Sequence, residues 1–274
     1  MLTASPPKGR RRLAAISALG LLLAAAGCAA PPAAPPAAAP VAPARLEPEA
    51  EAALRRMSAT IANAPAFALR LRTLREAYAP DGQRVLLGAT GAVAARRPDR
   101  LYAAIGSDTG NFGLWYDGRT ATLFNPDANL YGVTPLTGDI LAVADWLQTR
   151  MGIALAVRPL LAADPFAAMT AGGATTGRVL GASIVGETPV LHLALRNPTH
   201  DWEIWLEAGP RALPRRVSMV EATPEGPVRT ILEFEDWVLG PRLPDQAFRF
   251  TPPRGAVPAE LVPLPDVSAP GGTR

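Results

Sequence analysis

Apolar and polar positions alternate with a period of two along most of this chain, and two stretches break the pattern with helical spacing. The first runs from Glu49 to Asn63, where Leu54, Met57 and Ile61 recur three and four residues apart and form one stripe for a core. Pro65 stops it. Beyond it, Phe67, Leu69 and Leu71 alternate with Ala68, Arg70 and Arg72, the mark of a strand with one buried face. Pro80-Asp81-Gly82 presets a turn, so a strand over Gln83 to Arg96 is expected to fold back antiparallel. Pro98 to Ser107, Asn111 to Tyr116, Arg119 to Phe124 and Leu130 to Thr134 continue the series, punctuated by Asp117-Gly118 and Asn125-Pro126-Asp127.

From Gly138 to Ala171 the alternation is lost. Ile140, Leu141, Val143, Ala144 and Leu147 predict one or two helices there, interrupted near Pro159 and Pro165. Five more strands are expected near Arg178 to Val185, Val190 to Arg196, Asp201 to Glu207, Pro214 to Ala222 and Val228 to Val238. About eleven strands joined by close hairpin signals predict a mainly β, α+β fold. So many twisted strands must curl to limit their exposed edges, giving a curved antiparallel sheet, a half-barrel closed over helices.

Within this sheet the segment from Asp201 to Glu207 separates its faces most sharply. Trp202, Ile204 and Leu206 share one side, and Asp201, Glu203, Trp205 and Glu207 share the other. The apolar row is expected to line the concave face together with Phe67, Leu69 and Leu71. Such a face is either a filled core or the wall of a cavity for an acyl chain, whose burial yields ~0.8 kcal/mol per CH₂.

The ends of the chain change the picture. Lys8, Arg10, Arg11 and Arg12 precede an apolar run from Leu13 to Ala26, and no acid interrupts them, which is the layout of an export signal. This run is short of the roughly 20 residues that cross a bilayer as a helix. It ends in Leu23-Ala24-Ala25-Ala26-Gly27-Cys28, which resembles a lipobox: residues 1–27 are expected to be removed and Cys28 to carry lipid. The alternative is an ordinary signal cut at a small-residue site, with Cys28 unmodified. Because Cys28 is the only cysteine, no internal disulfide can form.

Residues 28–48 are nearly all alanine and proline, too poor in large apolar groups for a core, and read as a tether from the acylated cysteine. In extended form such a segment gains ~3 Å per residue, enough to hold a domain on the order of 50 Å from the lipid. The domain itself is expected over residues 49–253, with a proline-rich, extended or disordered tail over 254–274. Ala29 follows the cysteine in place of the aspartate that resembles an inner-membrane retention signal. The expected location is therefore the periplasmic face of the outer membrane.

Charge is easily misread here. The 27 Lys and Arg against 24 Asp and Glu suggest an anionic partner, but four of the bases and none of the acids precede Cys28. The mature chain is left with 23 against 24, and nucleic-acid binding loses its support. Metal chemistry lacks ligands: the two histidines, His192 and His200, and one cysteine provide no zinc spacing, and no metal or other cofactor is expected. His192 lies inside an alternating segment and reads as a strand residue with one satisfied ring nitrogen. His200 and Asp201, as neighbours on a strand, point to opposite faces and are a poor base-and-orienter pair. No Gly-x-Ser-x-Gly elbow and no phosphate loop occurs, so no catalytic residues are assigned.

Several blocks carry a family resemblance: Phe112-Gly113-Leu114-Trp115-Tyr116-Asp117-Gly118, His192-Leu193-Ala194-Leu195-Arg196, Asp201-Trp202-Glu203-Ile204-Trp205 and Leu213-Pro214-Arg215-Arg216, with Arg97-Pro98-Asp99-Arg100-Leu101. In order, from about Glu49 to Pro253, they resemble a family of predicted periplasmic bacterial proteins of unknown function. That family is similar to the LolA and LolB carriers, whose half-barrels hold lipoprotein acyl chains. The same scaffold in RseB-type regulators serves signalling, so the resemblance implies a fold more than a function. Three readings follow: a carrier or sensor of lipid or lipoprotein acyl chains, a module that binds an envelope protein, and an enzyme of unknown reaction.

Overall fold

The computed structural model describes residues 45–262, apart from residues 172, 174 and 199. The export signal, Cys28 and the tether up to residue 44 lie outside the described residues, as do residues 263–274.

Helix α1 (Pro48–Ala62) begins with proline in its first turn, where a missing N–H costs nothing, and carries Glu49 and Glu51 at its positive end. Two long strands follow, β1 (Ala66–Tyr78) and β2 (Arg84–Arg96), then four shorter ones, β3 (Arg100–Ser107), β4 (Phe112–Tyr116), β5 (Thr120–Asn125) and β6 (Leu130–Pro135). The middle holds α2 (Ile140–Met151), α3 (Arg158–Leu161) and α4 (Pro165–Thr170). The second half continues with β7 (Thr176–Val185), β8 (Thr188–Arg196), β9 (His200–Glu207), β10 (Pro214–Thr223) and β11 (Gly226–Leu239), and β12 (Val257–Pro258) closes the series.

All twelve strands form one curved sheet in the order β12-β6-β5-β4-β3-β2-β1-β11-β10-β9-β8-β7, which does not close into a barrel. Each strand from β1 to β6, and each from β7 to β11, pairs with its chain neighbour by a hairpin. One long-range antiparallel pairing, β1 with β11, joins the halves, with Leu71 opposite Phe234 and Arg75 opposite Thr230. The helices pack on one side: Leu54, Met57 and Ile61 of α1, and Ile140, Val143 and Leu147 of α2, share one buried cluster with residues of both sheet halves.

Pro159 and Pro165 do not break a longer helix. Each sits in the first turn of a short one, the position that tolerates proline best. Helix α2 starts at Asp139, whose carboxylate accepts the Ala142 N–H at 2.9 Å, and ends at Gly152, whose φ of 69° takes the left-handed cap. Three helices therefore stand where one or two were expected.

Beyond β11 the chain crosses the other side of the sheet. Phe250 packs on Trp115, Phe124 and Tyr131 with ring centroids 4.8, 5.3 and 5.1 Å away, and Phe248 is fully buried. Val257 and Pro258, in the stretch read as an extended tail, then pair in parallel with Leu130 and Tyr131. A Cβ on Gly132 would meet Leu261 at 2.4 Å, so the absent side chain makes room for this final wrap around the edge strand. The sequence reading missed this twelfth strand because two residues are too few to show any alternation.

Candidate functional site

Alternation divides β9 as read from the sequence: Trp202, Ile204 and Leu206 are buried, and Asp201, Glu203, Trp205 and Glu207 are not. Phe67, Leu69 and Leu71 of β1 are buried as well, and all six belong to one apolar cluster with the helices. The six nevertheless meet different surroundings. Among them only Trp202 lines a cleft of about 650 Å³ between the sheet and the segment carrying α3 and α4. Phe67, Leu69, Ile204 and Leu206 are packed core, and Leu71 lines a separate trough with Arg70, Arg72 and Trp115.

The floor of the cleft follows the register across four neighbouring strands. One row runs from Arg75 on β1 through Thr230 on β11 and Met219 on β10 to Trp202 on β9. A second runs from Thr73 through Leu232 to Val217, and Phe234 extends the floor towards the core. The opposite wall is made by Ala154 and Ala156 after α2, Pro159 and Leu160 of α3, and Ala168 and Met169 of α4. Small side chains at Ala154, Ala156 and Ala168 leave the space open, since the same backbone carrying leucines would fill it.

Helix α4 is held in place by a polar latch. The Asp164 carboxylate accepts the Ala167 N–H at 3.1 Å and the Ser58 hydroxyl at 2.9 Å, and that hydroxyl oxygen accepts the Phe166 N–H at 3.0 Å. These bonds, the Ala167 N–H foremost and then the Ser58 hydroxyl, hold the Asp164 carboxyl below the usual aspartate range. On the adjoining side, Arg97 donates to the carbonyls of Leu161 at 2.7 Å and Leu160 at 3.4 Å, which ties α3 to the turn between β2 and β3. Burial lowers the Arg97 pKa from its ordinary value.

Polar groups gather at one end of the cleft. Arg75 Nη1 donates to Glu221 Oε2 at 3.2 Å and to Thr230 Oγ1 at 3.0 Å, and His200 Nε2 lies 3.5 Å from Glu221 Oε1. Asn197 lines the same end, and its Oδ1 accepts the His200 backbone N–H at 2.8 Å. His200 thus faces the cleft, whereas its neighbour Asp201 pairs with Arg196 on the opposite face, where Arg196 and its bonds hold the Asp201 carboxyl low. His192 is also on that opposite face, stacked on Trp205 with centroids 4.1 Å apart and bonded through Nε2 to Glu203 at 2.9 Å. The rim residues Arg75, Glu221 and Thr230 escaped the sequence reading because Arg75 on β1 lies 146 residues from Glu221 on β10 and 155 from Thr230 on β11. Only a polar residue at an inward position of an apolar strand, such as Arg75 after Leu71 and Thr73, could have signalled them.

Among the described residues no helix is long and apolar enough to cross a membrane, and no group of three or more His, Cys, Asp or Glu is arranged to hold a metal ion.

Comparison with known proteins adds a family. No curated protein matches the chain. Among solved structures, an uncharacterized conserved protein from Thermus thermophilus superposes with a TM-score of 0.43 at 10% identity, covering 77% of this chain and 99% of that one. A LolA superfamily protein from Nitrosomonas europaea does so with a TM-score of 0.35 at 14% identity, covering 73% and 97%. The Pseudomonas aeruginosa MucA/MucB complex contributes a chain with a TM-score of 0.40 at 14% identity, covering 74% of this chain and 61% of that one. At such identity no residue role is transferred. Over residues 50–262, well over half of its length, the chain matches the family described as "Predicted periplasmic protein (DUF2092)", and it therefore belongs to that family of periplasmic proteins.

Proposed function

We propose that this protein is a lipid-anchored envelope protein that holds the acyl chain of a lipid or lipoprotein in the cleft between β9, β10, β11 and the α3–α4 segment. The observation that carries the reading is the cleft itself. Its volume of about 650 Å³ is in the range of small-ligand sites, roughly 300–1,000 Å³, and its interior is built from Trp202, Val217, Met219, Leu232, Phe234 and Met169. Methionines at two points of the wall suit a flexible hydrocarbon, because their unbranched side chains adapt to shape. A periplasmic family supports the compartment, and the expected lipid on Cys28 would place the cleft near a bilayer surface.

Titration with a fluorescent acyl probe, dansyl-undecanoate, tests this reading. Saturable binding with blue-shifted emission is expected, and Ala168→Trp, which fills the cleft from its half-buried wall, should weaken it by about tenfold or more. A chain that gives no saturable signal with this probe or with an uncharged dansyl acyl ester would remove the acyl-binding assignment.

A second reading draws on the sheet edge. Among the described residues strand β7 pairs only with β8, apart from one bridge between Leu46 and Gly177, and exposes Leu180 and Ile184 at 47% and 67%. An open edge with apolar side chains favours an extended peptide from an envelope protein as partner.

A further inference from the structure

The polar end of the cleft points to the head group of the occupant, an inference that rests on the acyl-chain reading above. Arg75 and Glu221 line this end, one of each sign and hydrogen-bonded to each other, and the His200 imidazole lies beside Glu221 on the side away from Arg75, Nε2 being 3.5 Å from Oε1. A head group bearing full negative charge would be drawn to Arg75 and repelled by Glu221 from nearly the same distance, so the two fields largely cancel. A carboxylate can only accept hydrogen bonds, and Glu221 is itself an acceptor that would be left facing it. A hydroxyl both donates and accepts. It can donate to Glu221 while accepting from Arg75, whose bonds to Glu221 and Thr230 among the described residues are made through Nη1. Thr230, which accepts from Arg75 at 3.0 Å, adds an uncharged hydroxyl beside the pair. Beyond them the wall turns apolar at Met219, Trp202 and Leu232.

We infer that the cleft takes a single-chain amphiphile with an uncharged, hydroxyl-bearing head, such as a monoacylglycerol, in preference to a free fatty acid. The chain lies over Trp202 and Met219, and the head sits against the Arg75–Glu221 pair. An anionic head group becomes the better ligand only when the Glu221 charge is removed.

The test is a competition on the full chain, purified without detergent, at mildly alkaline pH where laurate is an anion. Monolaurin and laurate, which share one acyl chain, each displace dansyl-undecanoate. Monolaurin should displace the probe at about tenfold lower concentration than laurate. In Glu221→Gln the ratio should move in favour of laurate by about tenfold, because Arg75 then acts on the anion alone. In Arg75→Gln it should move the other way, since only Glu221 remains. This second variant keeps the test open if Glu221→Gln fails to fold. Equal or tighter displacement by laurate on the unmodified chain would overturn the inference, as would a ratio that neither variant moves. Probe binding with the wrong ratio leaves the cleft reading standing and the head-group assignment refuted. Because the probe is itself an anion, monolaurin binding is also read directly from tryptophan emission, and absence of both probe and monolaurin binding removes both readings.

Discussion

Trp202 and Ile204 stand two residues apart on one strand and one face, with relative exposures of 6% and 0%, yet they have different neighbours. Ile204 is enclosed by the shared apolar cluster, whereas one side of Trp202 borders the cleft. Ile204→Ala should therefore cost ~2–5 kcal/mol, through lost transfer energy and a new cavity. For Trp202→Ala the loss should fall below the ~3–5 kcal/mol usual for a buried tryptophan, because empty space already adjoins the ring, while dansyl-undecanoate binding drops. Denaturant unfolding and probe titration on both variants check this. A full-size stability loss at Trp202 with unchanged binding would show that the ring is closed core. Alternation made it legible that both side chains point inward, but where the packing stops depends on which helix lies above each.

At the scale of elements, α4 is the wall most dependent on polar contacts. It has only six residues, and its buried side chain is Pro165, so the Asp164 and Ser58 latch does much of what apolar burial does for α1. The folded carboxyl of Asp164 is held below its ordinary value of 3.8. The stability this contributes is present above that value and is lost as pH falls through the folded pKa. Glu76, Asp117 and Asp245 are also held low, so some acid destabilisation is general. Between about pH 5 and pH 2 the unmodified chain should lose more Tm, relative to neutral pH, than Asp164→Asn does. Parallel curves for the two proteins would show that the latch contributes nothing to acid sensitivity. From the sequence, Pro159 and Pro165 were legible as interruptions. Their placement in the first turns of new helices was not, because proline marks a boundary without saying on which side the helix lies.

For the whole molecule the proposed anchor is Cys28, which lies outside the described residues. Its expected acylation is motivated by the small residues before it and the acid-free basic start of the chain. Cys28→Ser should move the protein from the membrane fraction to the soluble periplasm and remove the mass of the lipid. Fractionation with unchanged membrane retention and mass would refute the anchor, and recovery only from the inner membrane would refute the outer-membrane placement. With the proposed lipid in place, Cys28 would keep the protein at a bilayer while the expected tether would let the domain reach into the aqueous side.

The sequence by itself determined the class of fold, the inward and outward rows of the strands and, with one cysteine, the absence of an internal disulfide, and its first 28 residues carry the pattern from which export and lipid attachment are proposed. Each is written in local spacing, in composition or in a contiguous motif. Only the tertiary structure decided the cleft, the polar pair at its end and the C-terminal wrap. Arg75 and Glu221 are 146 residues apart and meet because β1 pairs with β11 and β11 with β10. A period of two says which side of a sheet a residue faces and nothing about which strand lies beside it. Strand order is settled by the packing energy of the whole sheet and its helices, and the candidate site arises where that order brings distant polar residues to the end of an apolar floor.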